Sequence, residues 1–221
     1  MRHRRPLGLF TVAAIPYLLL SSSQQAGIVT HLYPDGSGER ATYARAAAGR
    51  APEIAGLLRD AMPRADLARS VEEAEGKRVL VWRDGQFADM NNVGEVETTT
   101  TGIVQSPMSI YSTHTWKETL SFDRGDATEI EVEGMDRAEM TYIVRMPGKV
   151  TTTSPPAQLE GNKAQWTVKV TDQPQTFTAE SKSVRWSYVV LLAYVLLFIV
   201  LKLIVALPKL LARIPRKPRK I

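Results

Sequence analysis

The sequence predicts an α+β fold: a mainly antiparallel sheet with one or two helices packed on it, followed by a single C-terminal transmembrane helix. Three observations lead there. Two-residue alternation of apolar and polar side chains dominates the chain after Gly76. A stripe at helical spacing, formed by Ile54, Leu57, Leu58, Ala61 and Met62, precedes it. Trp186 to Leu207 is a run of 22 residues with Lys202 as its one charge. At about 1.5 Å per residue such a run crosses a hydrocarbon core roughly 30 Å thick.

The N-terminal segment, 1–23, reads as a secretory signal peptide. Arg2, His3, Arg4 and Arg5 are followed by an apolar run from Pro6 to Leu20 and then by Ser21, Ser22 and Ser23. Small residues before the break favour cleavage after Ser23, and an uncleaved anchor is the alternative. The domain proper then spans 24–185, the transmembrane helix 186–207 and a basic tail 208–221. The tail holds Lys209, Arg213, Arg216, Lys217, Arg219 and Lys220 with no acidic residue, which retains it on the cytoplasmic side. The expected location is therefore a cell membrane, with the domain extracytoplasmic.

This topology changes the meaning of the formal charge of +5. Three arginines belong to the signal and seven basic residues to the anchor and tail, leaving 18 basic against 23 acidic residues between them. A region with that excess of negative charge repels phosphate, so nucleic acid is not an expected partner. The chain has no cysteine, and at about 160 residues the domain is long enough to be held by its own core.

Ile28 to Tyr33, the turn residues Pro34 to Gly38, and Glu39 to Ala46 read as strand, turn, strand: a hairpin. Pro52 suits a first helical turn, and Leu67 and Val71 continue a weaker helical stripe towards Gly76, making a helix pair. Lys77 to Arg83 is the next strand, with a turn at Asp84-Gly85. Thr98 to Thr101 and Thr151 to Ser154 are β-rich or loop segments. In Ala127 to Glu133, Ile130 and Val132 face one way and three glutamates the other. Met140, Tyr142, Val144 and Met146 share a face, as do Trp166, Val168 and Val170. The expected core contains Leu57, Leu58, Ile130, Val132 and Trp166.

Catalytic signals are few. His31 and His114 are the histidines of the domain, and no cluster of His, Asp and Glu has metal-ligand spacing. Ser37 lies between two glycines without the strand–elbow–helix context of a hydrolase nucleophile. Arg124-Gly125-Asp126 reads as a turn. No phosphate-cradling loop or dinucleotide fingerprint appears, so no cofactor and no enzymatic activity are expected.

One strand, Ile110 to Phe122, places Ile110, His114, Trp116, Leu120 and Phe122 on a single face with Ser112 and Glu118 among them. An apolar wall with a few polar groups is what a lipid-binding concavity needs. Ile110, His114, Trp116, Met140, Tyr142 and Val144 are accordingly the candidate ligand contacts. An ordinary core strand with a satisfied histidine is the alternative. Trp186 and Tyr188 suit the outer membrane interface, and Lys202 lies near enough the inner end to snorkel.

An ordered set of short features adds a resemblance. They are Asp35-Gly36-Ser37-Gly38 after the first strand, Met146-Pro147-Gly148-Lys149-Val150 ending a later one, Gly161-Asn162 leading to Trp166, and Ala179-Glu180-Ser181 before the span. In these the chain resembles the LppM-like family of membrane-anchored bacterial envelope proteins. The resemblance implies an α+β extracytoplasmic domain associated with lipid or glycolipid binding, and no known catalytic activity. The family's lipoprotein members carry a lipidated cysteine after the signal, which is absent here, so anchoring falls to the C-terminal span. Membrane lipid is thus the expected partner. An accessory subunit that docks on other membrane proteins is the main alternative, and an envelope enzyme using scattered carboxylates a third, since apolar alternation serves a cavity, a docking face and a core alike.

Overall fold

A computed structural model describes residues 25–61, 66–72, 76–101, 110–121, 139–169 and 173–211. The chain divides into two compact units, one comprising residues up to Thr99 and Thr113–Ser183, the other Thr100–Ser112 and residues from Val184 onward.

The described strands are β1 (Ala26–Leu32), β2 (Gly38–Ala47), β3 (Asp66–Glu72), β4 (Lys77–Phe87), β5 (Glu95–Thr101), β6 (Tyr111–Leu120), β7 (Glu139–Arg145), β8 (Lys149–Ser154), β9 (Gln158–Glu160), β10 (Lys163–Lys169) and β11 (Gln175–Val184). The helices are α1 (Ala51–Ala61) and α2 (Trp186–Leu211). In the first unit a seven-stranded sheet, in the order β3-β4-β2-β1-β7-β10-β9, faces a four-stranded sheet in the order β5-β6-β11-β8. The β1–β7 pair is parallel, with Ile28 opposite Tyr142 and Thr30 opposite Val144. Its neighbours β1–β2 and β7–β10 are antiparallel.

The strand period fixes which side chains go inside. Along β6 every second residue from Ser112 to Leu120 is buried, and on β7 Met140, Tyr142 and Val144 are. Trp166 and Val168 of β10 lie in the same core, packed against Phe177 and Ala179 of β11. Tyr142, Trp166 and Phe177 make a cluster of rings with centroids 5.3–5.5 Å apart, favourable tilted and offset arrangements. The far end of the β2–β4 face is covered by α1, where Ile54 meets Ala44, Ala46, Leu80 and Trp82. Glu53 in the first turn and Arg59 in the last complement the helix dipole.

The turns use glycine where backbone geometry demands it. Gly148, between β7 and β8, has φ +115°, and a Cβ there would lie 2.3 Å from the carbonyl oxygen of Lys182.

Three expectations need correction or placing. The second helix of the expected pair is the strand β3, paired with β4 along Asp66 to Glu72. Leu67 and Val71 are four apart, a spacing that puts residues on one face of a strand as well as of a helix, so it could not discriminate. The expected turn at Asp84-Gly85 is a bulge inside β4: Arg40 faces Gly85, Ala41 faces Arg83, and Asp84 is the extra residue. Ile130 and Val132, the Arg124-Gly125-Asp126 turn, Phe122, Val170, the side chains of Leu57 and Leu58, and the signal segment lie outside the described residues. Both threonine-rich stretches fall in strands, at β5 and β8.

In the second unit, Trp186–Ile204 is long and apolar enough to cross a membrane, and none of it is buried. Arg185 donates its N–H to the carbonyl of Ile110 at 2.8 Å and lays its guanidinium over the Tyr188 ring, 4.1 Å from the centroid.

Candidate functional site

The interior of the first unit carries a chain of polar contacts from one sheet to the other. Trp116 on β6 donates its indole N–H to the Tyr142 hydroxyl on β7 at 2.9 Å. Tyr142 in turn donates to Oε2 of Glu118 at 2.5 Å, and Oε1 of Glu118 accepts from Nη1 of Arg40 on β2 at 2.6 Å. Asp84 joins from the bulge of β4, where Oδ2 accepts from the Thr42 hydroxyl at 3.0 Å. It approaches Nε of Arg40 only to 3.9 Å, an ion pair too long for a hydrogen bond.

All four ionisable groups are out of water: the side chains of Arg40, Glu118 and Asp84 are 1%, 4% and 6% exposed, and Tyr142 is fully buried. One cation thus faces two carboxylates. Burial works against the charge of Arg40, but Glu118, Tyr142 and Asp84 outweigh it and hold the guanidinium charged above its usual range. Burial, reinforced by the charge of Glu118, pushes Tyr142 well above the usual phenol value, so it stays protonated and can donate. Burial also pushes the Asp84 carboxyl up to about 6, against the opposing pull of Arg40 and Thr42. Several polar atoms in this space have no partner among the described residues: Nε and Nη2 of Arg40, Oδ1 of Asp84, and the hydroxyl of Thr30, which sits opposite Arg40 on β1. Most buried polar groups in folded proteins find one.

His114 forms a separate rung on the smaller sheet. Nδ1 lies 3.1 Å from the Thr98 hydroxyl and Nε2 2.9 Å from that of Ser183. Burial lowers its pKa, keeping the ring neutral, with one nitrogen donating and the other accepting. Ser183 lies within β11 and not on the sharp turn that exposes a hydrolase nucleophile, so the contact reads as a pin across β5, β6 and β11.

The structure brings together four of the six candidate ligand contacts: Trp116, Met140, Tyr142 and Val144 share one core cluster. His114 is buried on the same strand face as Trp116 but is engaged with hydroxyls. Ile110 belongs to the second unit, half-buried, with its carbonyl bonded to Arg185. Of the membrane-interface residues, Trp186 is 71% exposed and Tyr188 carries the Arg185 guanidinium. Lys202 lies 5.4 Å from the Phe198 ring centroid.

Sequence reasoning placed Glu118 on the right face but missed Arg40, Thr42 and Asp84. The available signal was the alternation of β2, where Gly38, Arg40, Thr42, Ala44 and Ala46 are all buried. Small apolar residues two and four positions beyond Thr42 put Arg40 on the inner side. Among the described residues no three of His, Asp and Glu assemble as a metal-ligand set; Glu118 and Asp84 both turn to Arg40 instead.

No family model matches the chain, and no curated protein matches it. Among solved structures, it is similar to the NMR structure of the folded domain of LppM from Mycobacterium tuberculosis, with a TM-score of 0.35 and 13% sequence identity over 73% of this chain and 90% of that one.

Proposed function

We propose that this chain is a non-enzymatic, membrane-anchored protein of the bacterial envelope whose extracytoplasmic domain binds lipid or another apolar ligand between its two sheets. The observation that carries the reading is the composition of the inter-sheet space. Apolar walls from β1, β6, β7 and β10 converge on a few polar groups, and several polar atoms there have no partner among the described residues. An amphiphile that buries a chain and satisfies those atoms suits such a space. The exposed apolar helix α2 supports anchoring, and the basic residues after it support a cytoplasmic tail. Mass spectrometry of lipids that co-purify with the full-length protein in mild detergent tests the reading. Stoichiometric lipid supports it, and its absence refutes it.

A second reading, an accessory subunit of a membrane protein complex, is favoured by the packing of Trp116. The indole is fully buried and lies against Gly94, where an added Cβ would come within 2.6 Å of the ring. A side chain seated so closely against backbone acts as core. Stoichiometric co-purification of other membrane proteins without lipid is the outcome this reading requires.

A further inference from the structure

The unpartnered atoms of the inter-sheet cluster have the form of a receptor for an oxyanion. Arg40 is 1% exposed and donates through Nη1 to Glu118, while Nε and Nη2 find no acceptor among the described residues. Those two nitrogens present the parallel N–H pair on one side of the guanidinium, the fork that carboxylates and phosphates bind through two oxygens. Asp84 does not fill the fork, since its nearest approach is 3.9 Å and its Oδ1 is also unpaired. The unpaired hydroxyl of Thr30 lies beside Arg40 in register. Around this patch the inner face is apolar: Ile28 and Leu32 flank Thr30 on β1, and Val144 stands opposite it on β7.

We propose that the free side of Arg40 receives the acidic oxygens of an anionic amphiphile, a carboxylate or phosphodiester carried on an acyl chain that runs along the neighbouring apolar residues. The inference rests on the reading that the domain takes up an apolar ligand, and it assigns the place of the ligand's polar end. The charge count adds a condition. The groups facing Arg40 are Asp84 from β4, Glu118 from β6 and the neutral phenol of Tyr142 from β7. With both carboxylates ionised the cluster already carries one net negative charge. An incoming monoanion therefore docks together with a proton from solvent, which Asp84 takes up, and the resulting O–H can donate to a ligand oxygen. Binding tightens as pH falls through the Asp84 range.

The test uses isotopically labelled full-length protein in an uncharged maltoside detergent. The indole N–H resonance of Trp116 reports, because that group is bonded through Tyr142 and Glu118 to Arg40. The probes are dodecyl methyl phosphate, which stays a monoanion across this pH range, dodecanol and dimethyl phosphate. The dodecyl phosphodiester should shift the resonance at a concentration at least about tenfold lower than dodecanol, and the preference should grow between neutral pH and about pH 5. Arg40→Lys keeps the charge but lacks the fork, and should abolish the preference. If the phosphodiester and dodecanol act equally, lipid uptake stands and the Arg40 site is wrong. If neither moves the resonance, the uptake reading itself fails. Dimethyl phosphate acting as strongly as the dodecyl phosphodiester would make this a site for free oxyanions and overturn the amphiphile. Should Arg40→Lys not fold, Asp84→Asn decides: binding of the dodecyl phosphodiester should become pH-independent, and persistence of the wild-type pH dependence would overturn the proposal.

Discussion

Replacing Asp84 with asparagine should stabilise the protein at neutral pH and leave it unchanged in acid. The carboxyl is buried at the β4 bulge and titrates near 6 in the folded state, against 3.8 for a free side chain. Because the folded value is raised, the folded protein holds a proton that the unfolded chain has already lost between these two values. Stability from this group is therefore fully present below about pH 4 and is lost as pH rises through about 6. At about 1.4 kcal/mol per unit of pKa, the ionised form costs about 3 kcal/mol at neutral pH. Asparagine carries no charge, and its amide oxygen can still accept from the Thr42 hydroxyl, so Asp84→Asn should recover most of that cost. Urea unfolding of the full-length protein in mild detergent, followed by tryptophan fluorescence across pH 4–8, measures it, since Trp82, Trp116 and Trp166 are all buried. The stability difference between variant and wild type should grow from near zero at the acid end to about 3 kcal/mol above pH 6. A difference that is constant, or that shrinks with pH, would refute the placement of Asp84 as a buried carboxylate that Arg40 only partly compensates.

Other consequences follow from the same interior. Glu118→Leu leaves Nη1 of Arg40 and the Tyr142 hydroxyl buried without their acceptor and should destabilise by about 2–5 kcal/mol in urea unfolding, whereas Glu39→Gln, on the exposed side of β2, should stay within about 0.5. Trp116→Ala opens a cavity beside Gly94 and strips the Tyr142 hydroxyl of a donor, costing about 3–5 kcal/mol in the same assay. Gly148→Ala forces a side chain onto a positive φ and against the Lys182 carbonyl, and should lower stability by at least about 1–3 kcal/mol. For topology, a reporter fused after Ile221 should behave as cytoplasmic and one inserted at Gly161, in the turn between β9 and β10, as extracytoplasmic; the reverse would overturn the anchoring scheme.

Much of the inner surface was legible because a strand has a rigid two-residue period. Met140, Tyr142 and Val144, and separately Trp166 and Val168, announced their faces through alternation alone, and β6 did so even with His114 and Glu118 in the pattern. The first hairpin was legible from Asp35 and Gly36, which are needed where the chain reverses. Asp66 to Glu72 was not, because it lies wholly exposed at a sheet edge, where burial imposes no pattern and pairing with β4 alone decides the conformation. The Asp84-Gly85 signal was real but ambiguous, as a bulge and a turn ask for the same residues. The polar network eluded the sequence for a different reason. Arg40 comes to Glu118 across 78 residues and between two sheets, and no local periodicity encodes a contact of that kind.

The central claim, that the domain takes up lipid between its sheets, is tested most directly by incubating purified residues 24–185 with bacterial-lipid vesicles, separating the two and measuring lipid in the protein fraction. The account predicts about one lipid per protein in that fraction. A domain that leaves the vesicles lipid-free, together with full-length protein that emerges in a stoichiometric complex with other membrane proteins, would contradict it and establish the accessory-subunit reading in its place.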